Sequence, residues 1–148
     1  MSNLNIYVEL ADPFGTTLAM LDRFARLEWT RVVNDVGVMT LDVDPDVSRD
    51  LFRLDGRLSI WRQPHDGPLA LETETVWLIR KVERMLSSDG RRTLRVTAYT
   101  PTYLLGARIV AYDAGSAEAT KTGAADDLMK AIVRENLGTL ATDPDRDR

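Results

Sequence analysis

Cysteine is absent from this 148-residue chain. Its absence removes a disulfide framework, a thiol nucleophile and a thiolate metal site together. It also fits folding in a reducing cytoplasm. Long apolar runs are missing as well: none approaches the roughly 20 residues that a membrane-spanning helix needs. The opening MSNLNIYVELADP has no basic leader followed by an apolar stretch, so a secretory signal is not expected there. Blocks of one charge sign are missing. The net charge is −4, and acids and bases alternate along the chain, which disfavours a dedicated nucleic-acid surface with its basic stripe. No glycine-rich phosphate loop is present either, because GTTLAM and GAADDL lack the Gly-Lys arrangement.

What remains is a chain that is 44% hydrophobic and 28% charged, ordinary for a globular protein able to form a core without staples. Its length favours one domain, or one domain plus an appendage. Asn5 to Ala11 alternates Ile6, Val8 and Leu10 with polar neighbours and reads as a strand. Asp12, Pro13 and Gly15 mark a turn, and a second strand is expected over Thr16 to Leu21. Leu27 to Val43 reads as a hairpin. Leu27, Trp29 and Val33 would share one face of the first arm, and Met39, Leu41 and Val43 one face of the second. Both sets lie on the same side only if the loop is odd, since one residue of slip turns every side chain over. A loop of three or five residues around Asn34, Asp35 and Gly37 meets that condition.

Pro45 ends that arm, and a helical turn is expected within Val47 to Phe52. Asp55-Gly56 turns the chain into a strand over Arg57 to Arg62, and Gln63 to Pro68 is loop by composition. A long strand over Thr73 to Leu86 is expected to place Val76, Leu78, Val82 and Leu86 on one face. A return strand carries Arg92, Leu94, Val96 and Ala98. Val82 opposite Val96 and Leu86 opposite Arg92 fit a loop of Ser88 to Gly90, with Gly90 left-handed. Thr100-Pro101 starts a short helix that Gly106 can stop; Arg108 to Tyr112 reads as extended and Asp113 to Thr120 as a small-residue loop. From about Gly123 to Leu137, Ala125, Leu128, Met129, Ile132 and Val133 form an apolar stripe at helical spacing. Asp126 and Asp127 suit the start of that helix, and Arg134 its end. The expected class is therefore α+β and β-rich: a bent antiparallel sheet or partly open β-barrel with one packed C-terminal helix.

Chemistry-bearing residues are sparse. His65 is the single histidine and lies in a Pro/Gly loop beside Asp66; a solvated loop position explains it better than catalysis does. Asp42, Asp44 and Asp46 open like a calcium loop, but Val47 and Arg53 stand where Gly and Glu would be needed. Glu72 with Glu74, and Asp126 with Asp127, are carboxylate pairs outside any signature. Trp29, Trp61 and Trp77 sit among alternating aliphatics and read as packing residues before a sugar platform. Arg91, Arg92 and Arg95 gather near a hairpin tip, where a solvated strand end is the simplest account. No catalytic, cofactor-binding or metal-binding residue is assigned from these patterns, and no cofactor is expected.

Four pieces in order carry a family resemblance: LEWTRVVNDVGVMTLDV; DGRLSIWR; ETVWLIRKVER; and AYTPTYLLGARIVAY followed by TGAADDLMKAIVREN. In these the chain resembles the N-terminal part of siphophage and prophage tail-tip proteins, the tail-associated or baseplate hub family. The resemblance implies a hub-like barrel domain with its helix over residues 1–138; beyond it TLATDPDRDR carries no core-forming residue after Leu140, so a flexible tail is expected over 139–148. It implies a virion structural protein, not an enzyme, assembled in the host cytoplasm and located at the tail tip. Its partners would be copies of itself, commonly in a trimeric ring, with the distal tail protein, the tape-measure protein and tip or fibre proteins. Family hubs are usually longer, with further modules beyond this region, and cell-wall cleavage or receptor binding would belong to those modules. Arg108, Ile109 and Tyr112 are the interface residues expected here. Two other readings compete: a small barrel binding nucleic acid or glycan through exposed Trp and Arg, and a cell-wall hydrolase with converging titratable groups.

Overall fold

In the computed structural model, residues 5–64, 67–72, 76–107 and 122–137 are described. The chain divides into two compact units, Met1–Thr102 and Tyr103–Arg148.

The first unit is one antiparallel sheet. Its strands are β1 (Asn5–Ala11), β2 (Thr17–Leu21), β3 (Arg26–Thr30), β4 (Val38–Val43), β5 (Arg57–Gln63), β6 (Ala70–Leu71), β7 (Trp77–Leu86) and β8 (Arg92–Tyr99). They lie in the order β2-β1-β5-β7-β8-β4-β3, with β6 added beside β5. Period-two patterning accounts for the core. Val8 and Leu10 of β1, Met39, Leu41 and Val43 of β4, Leu58 and Ile60 of β5, Trp77 and Ile79 of β7, and Leu94, Val96 and Ala98 of β8 form a single buried cluster. The sheet curls around that cluster. Arg62 of β5 lies 5.7 Å from the Trp29 ring of β3, although β7, β8 and β4 separate the two strands in the sheet. The chain is thus β-rich α+β, with a curled antiparallel sheet open between β2 and β3.

Turn chemistry explains the connections. The Asp12 carboxylate accepts the N–H groups of Phe14 at 2.9 Å and Thr16 at 2.8 Å, closing the β1–β2 turn. In the β7–β8 hairpin, Val82 faces Val96 and Leu86 faces Arg92, and Gly90 is left-handed at φ 80°, as the pattern predicts. The β3–β4 loop keeps its odd parity but is longer than expected. Thr30 faces Val38, so residues 31–37 form the loop. Val33 stands in it, exposed, instead of on a strand face. Left-handed Asn34, φ 60°, makes the reversal. Gly37 then fits where no side chain would: a Cβ there would lie 2.7 Å from the Thr30 carbonyl and 2.9 Å from Thr100 Cγ2. Gly37 and Thr100 are tied by N–H donations in both directions, Gly37 N to Thr100 Oγ1 at 2.9 Å and Thr100 N to Gly37 O at 3.1 Å.

One face assignment needs correction. Leu78 and Val82 do not share a face: Trp77 and Ile79, opposite Leu78, are in the core, and beyond the bulge Val82 packs against that same core. The register shifts between Ile79 and Lys81, leaving Arg80 unopposed on β8, and only beyond this bulge does Val82 come level with Val96. A bulge bends the strand and reverses which parity faces inward. The Arg80 side chain is held there by the Asp55 carboxylate. The helical turn before β5 is a single 3-10 turn, Arg49–Leu51.

The second unit contributes α1 (Thr102–Ala107, beginning at the last residue of the first unit) and α2 (Ala125–Leu137). Asp126 and Asp127 occupy the first turn of α2 and Arg134 the last, each at the end of the dipole that favours its charge. Lys130 pairs with Asp126 at 3.2 Å. Along the apolar stripe Leu128 and Ile132 are half-buried, while Met129 and Val133 are exposed. Among the described residues, no helix is long and apolar enough to cross a membrane.

Candidate assembly surface

The outer surface of the sheet is of two kinds. Across β3, β4, β8 and β7 runs a ladder of alternating charge. Arg26 faces Asp42, Asp42 faces Arg95, and Arg95 faces Glu83. Arg95 grips Asp42 with two parallel donations, Nε to Oδ1 and Nη2 to Oδ2, both 2.7 Å. This fork geometry is the strong form of an ion pair. Asp42 is only 6% exposed, the one buried charged residue among those described. Its hydrogen bonds hold the Arg95 guanidinium above its ordinary pKa. Arg26 reaches Glu28 at 2.5 Å; the contact raises the arginine and lowers the glutamate. Lys81 meets Glu83 at 2.8 Å. The charges on this flank therefore answer one another within the sheet.

The other flank, over β2, β1, β5 and β6, is aromatic and apolar. Tyr7 faces Trp61, and Trp61 faces Leu71. The Trp61 indole donates to Glu9 Oε2 at 2.7 Å, and the Thr17 hydroxyl donates to Glu9 Oε1 at 2.6 Å. Both carboxylate oxygens of Glu9 are thus occupied from neighbouring strands. Beside this cluster Leu18 and Met20 of β2 are 43% and 47% exposed, and Phe14, in the turn leading into β2, is 90% exposed. Amphipathic aromatics with exposed aliphatics around them make the composition of a contact surface.

Between the flanks lies the seam. Among the described residues, β2 bonds only to β1, and β3 only to β4. The Asp22–Ala25 link joins them; five Cα steps from Leu21 to Arg26 span at most about 18 Å. Inward side chains along the seam are incompletely covered. Ala19 and Leu21 of β2, Phe24 of the link, and Leu27 and Trp29 of β3 are only partly buried, whereas their counterparts inside β1 and β4 are fully buried. The two edges differ in character. β3 reads RLEWT and carries Arg26 and Glu28 outward. β2 reads TLAML and has no charge. Charged side chains are a usual guard on an edge strand, and β2 lacks them.

The residues singled out in the sequence fall as follows. Arg108, Ile109 and Tyr112, the expected interface residues, lie outside the described residues, as do His65, Asp66, Glu74 and the 139–148 tail. Asp42, Asp44 and Asp46 do not converge: Asp42 belongs to Arg95, while Asp44 Oδ1 accepts the Asp46 N–H at 3.0 Å, a local turn. Glu72 pairs with Arg62 at 2.5 Å. The tryptophans are dispersed. Trp77 is fully buried, Trp29 is half-buried against Arg62, and Trp61 is on the outer surface. Arg95 leaves its sequence neighbours for the ladder, whereas Arg91 and Arg92 line a cleft with Arg23, Phe24 and Asp44. Sequence reasoning missed both the ladder and the bare edge; the only trace of the second was the lack of charge in TLAML. Among the described residues no group of three or more His, Cys, Asp or Glu could hold a metal ion. No protein-family model matches the chain, and no curated protein matches it.

Proposed function

We propose that this protein is a structural component of a long-tailed phage tail tip, a baseplate hub or tail-associated protein that assembles with copies of itself and with neighbouring tail proteins. The observation that carries the reading is the unfinished seam: an uncharged edge strand beside half-covered core residues, next to an aromatic and apolar flank. Such a surface is a liability on an isolated chain and an asset in an assembly. The ion pairs support the same reading. The Arg95–Asp42 pair braces β8 against β4, and Arg62 of β5 pairs with Glu72 just beyond β6, which suits a rigid part better than a reactive pocket. The distal tail protein, the tape-measure protein and tip or fibre proteins are the neighbours that the four sequence pieces imply, in a ring of copies. The protein works at the virion tail tip after assembly in the host cytoplasm.

The dispersed tryptophans give a nucleic-acid or glycan platform no shared face to work from. The test is localisation. Antibody labelling and mass spectrometry of purified particles from the parent strain are expected to find the protein at the tail tip, in a few copies per particle. Its absence from purified tails overturns the proposal.

A further inference from the structure

We infer that Arg62 is a clasp across the open side of the curl: its guanidinium holds β3 down through the Trp29 ring, and β3 lifts as a flap when that contact is released. The clasp is a property of the fold and stands whether or not the protein works at a tail tip.

Strand parity sets the contact. Leu58 and Ile60 of β5 are buried in the core, and Arg62, two residues further on, faces the same way. On β3, Leu27 and Trp29 pack against that same core. The guanidinium carbon lies 5.7 Å from the centre of the Trp29 ring, within reach of the attraction between a cation and an aromatic face. No ladder joins β5 to β3. In the sheet order β1 and β2 follow β5 on one side, and β7, β8 and β4 separate it from β3 on the other. Side chains therefore make the tie that backbone does not.

Arg62 is itself anchored from behind. Its Nε lies 2.5 Å from Glu72 Oε2, and the Glu72 N–H donates to the Ile60 carbonyl at 2.7 Å. A carboxylate fixed to the backbone of β5 thus holds the cation at the ring. The Arg62 side chain is still 38% exposed, so water can take the place of the ring and the contact is releasable. β3 has few other ties. Among the described residues its ladder runs to β4 alone, its ion pair Arg26–Glu28 stays within the strand, and Leu27 and Trp29 are only partly buried. Elements with few buried contacts open ahead of the rest of a protein.

The test is native-state hydrogen exchange on the full chain, read at β3 and at the core strands β1 and β8. The variants are Arg62→Met, Arg62→Lys, Trp29→Leu and the control Arg26→Gln, which removes a charge from β3 without touching the clasp. R62M is expected to speed exchange of the β3 amides about threefold to tenfold. R62K is expected to fall between R62M and the unaltered chain, because it keeps the cation and loses the planar fork. R26Q is expected to leave β3 unchanged. In a W29L background, R62M is expected to add nothing further at β3; should W29L fail to fold, the comparison of R62M with R62K decides. β3 amides unmoved by R62M while those of β1 and β8 speed up overturn the clasp, since the contact then survives the opening of β3. A lysine no better than methionine overturns it too, as does R62M acting at full size without Trp29.

Discussion

The Asp42–Arg95 pair is the point at which the sheet can be questioned most sharply. Replacing Asp42 with Asn keeps the volume and removes the charge. Arg95 then loses one of its two 2.7 Å donations, the other passing to a neutral amide oxygen, and a donor NH2 takes the place of the second carboxylate oxygen. Hydrogen bonds to charged groups contribute about 1.5–3 kcal/mol each, and breaking a fully buried ion pair costs about 3–5 kcal/mol. Neither figure applies undiminished. The Arg95 side chain is 29% exposed and can recover water, and Glu83 faces it from β7. The expected loss is therefore about 2 kcal/mol, at the low end of the range for charge-assisted bonds. For a domain near 100 residues that lowers the melting temperature by about 8–16 °C. Thermal and urea unfolding of Asp42→Asn, Arg95→Met and the double variant form the assay. The double variant is expected to be more stable than the sum of the singles requires, with a coupling energy of about 1–2 kcal/mol. Singles that add within about 0.5 kcal/mol refute the claim that this pair locks β4 to β8.

Two further predictions follow from the turns. Gly37→Ala brings a Cβ within 2.7 Å of the Thr30 carbonyl, backbone that cannot swing aside, so a destabilisation of about 1–3 kcal/mol is expected in urea unfolding; a neutral result refutes the close approach of the loop to β3 and Thr100. The Asp12 carboxyl is held below its ordinary value of 3.8 by the Thr16 N–H first and the Phe14 N–H after it. A depressed folded value means that its contribution is present above the unfolded value and fades as pH falls through the folded one. The Phe14 and Thr16 amide resonances are expected to titrate with a midpoint below 3.8, and a midpoint at or above that value contradicts the turn.

Local patterning made most of the strands legible, and the failures have local causes. Asn5–Ala11 and the β7–β8 register follow from alternation plus a turn residue, both short-range. The phase of β7 was lost because VWLI is apolar on both faces. In such a run either parity reads as core, and only the bulge at Arg80, held by Asp55 from the turn before β5, decides. The turn before β5 is twenty-five positions away in the chain, beyond any periodicity window. The Ala70–Leu71 strand is too short to carry a pattern at all. The β3–β4 loop was judged too short because Val33 looks like a strand residue; the positive φ of Asn34 moves the reversal earlier and leaves Val33 in solvent.

The charge ladder separates what sequence can yield from what it cannot. Val82 opposite Val96 was readable from the hairpin, and the same register sets Glu83 opposite Arg95, so that rung was implicit. Arg26 opposite Asp42 needed the loop to be centred on Asn34, whatever its odd length. The middle rung, Asp42 opposite Arg95, joins strands whose connection passes through β5, β6 and β7. No local rule announces it. Without that rung, three alternating aspartates looked like the start of a metal loop; with it, the first is a sheet brace and the other two make a turn. The β2 edge depends on the same kind of information. TLAML is unremarkable as a sequence and becomes an edge strand only because the strand order of the described residues places it last. The proposed function therefore rests on non-local pairing, in which strands meet and which one is left over, and a residue-by-residue search for chemistry passes over it.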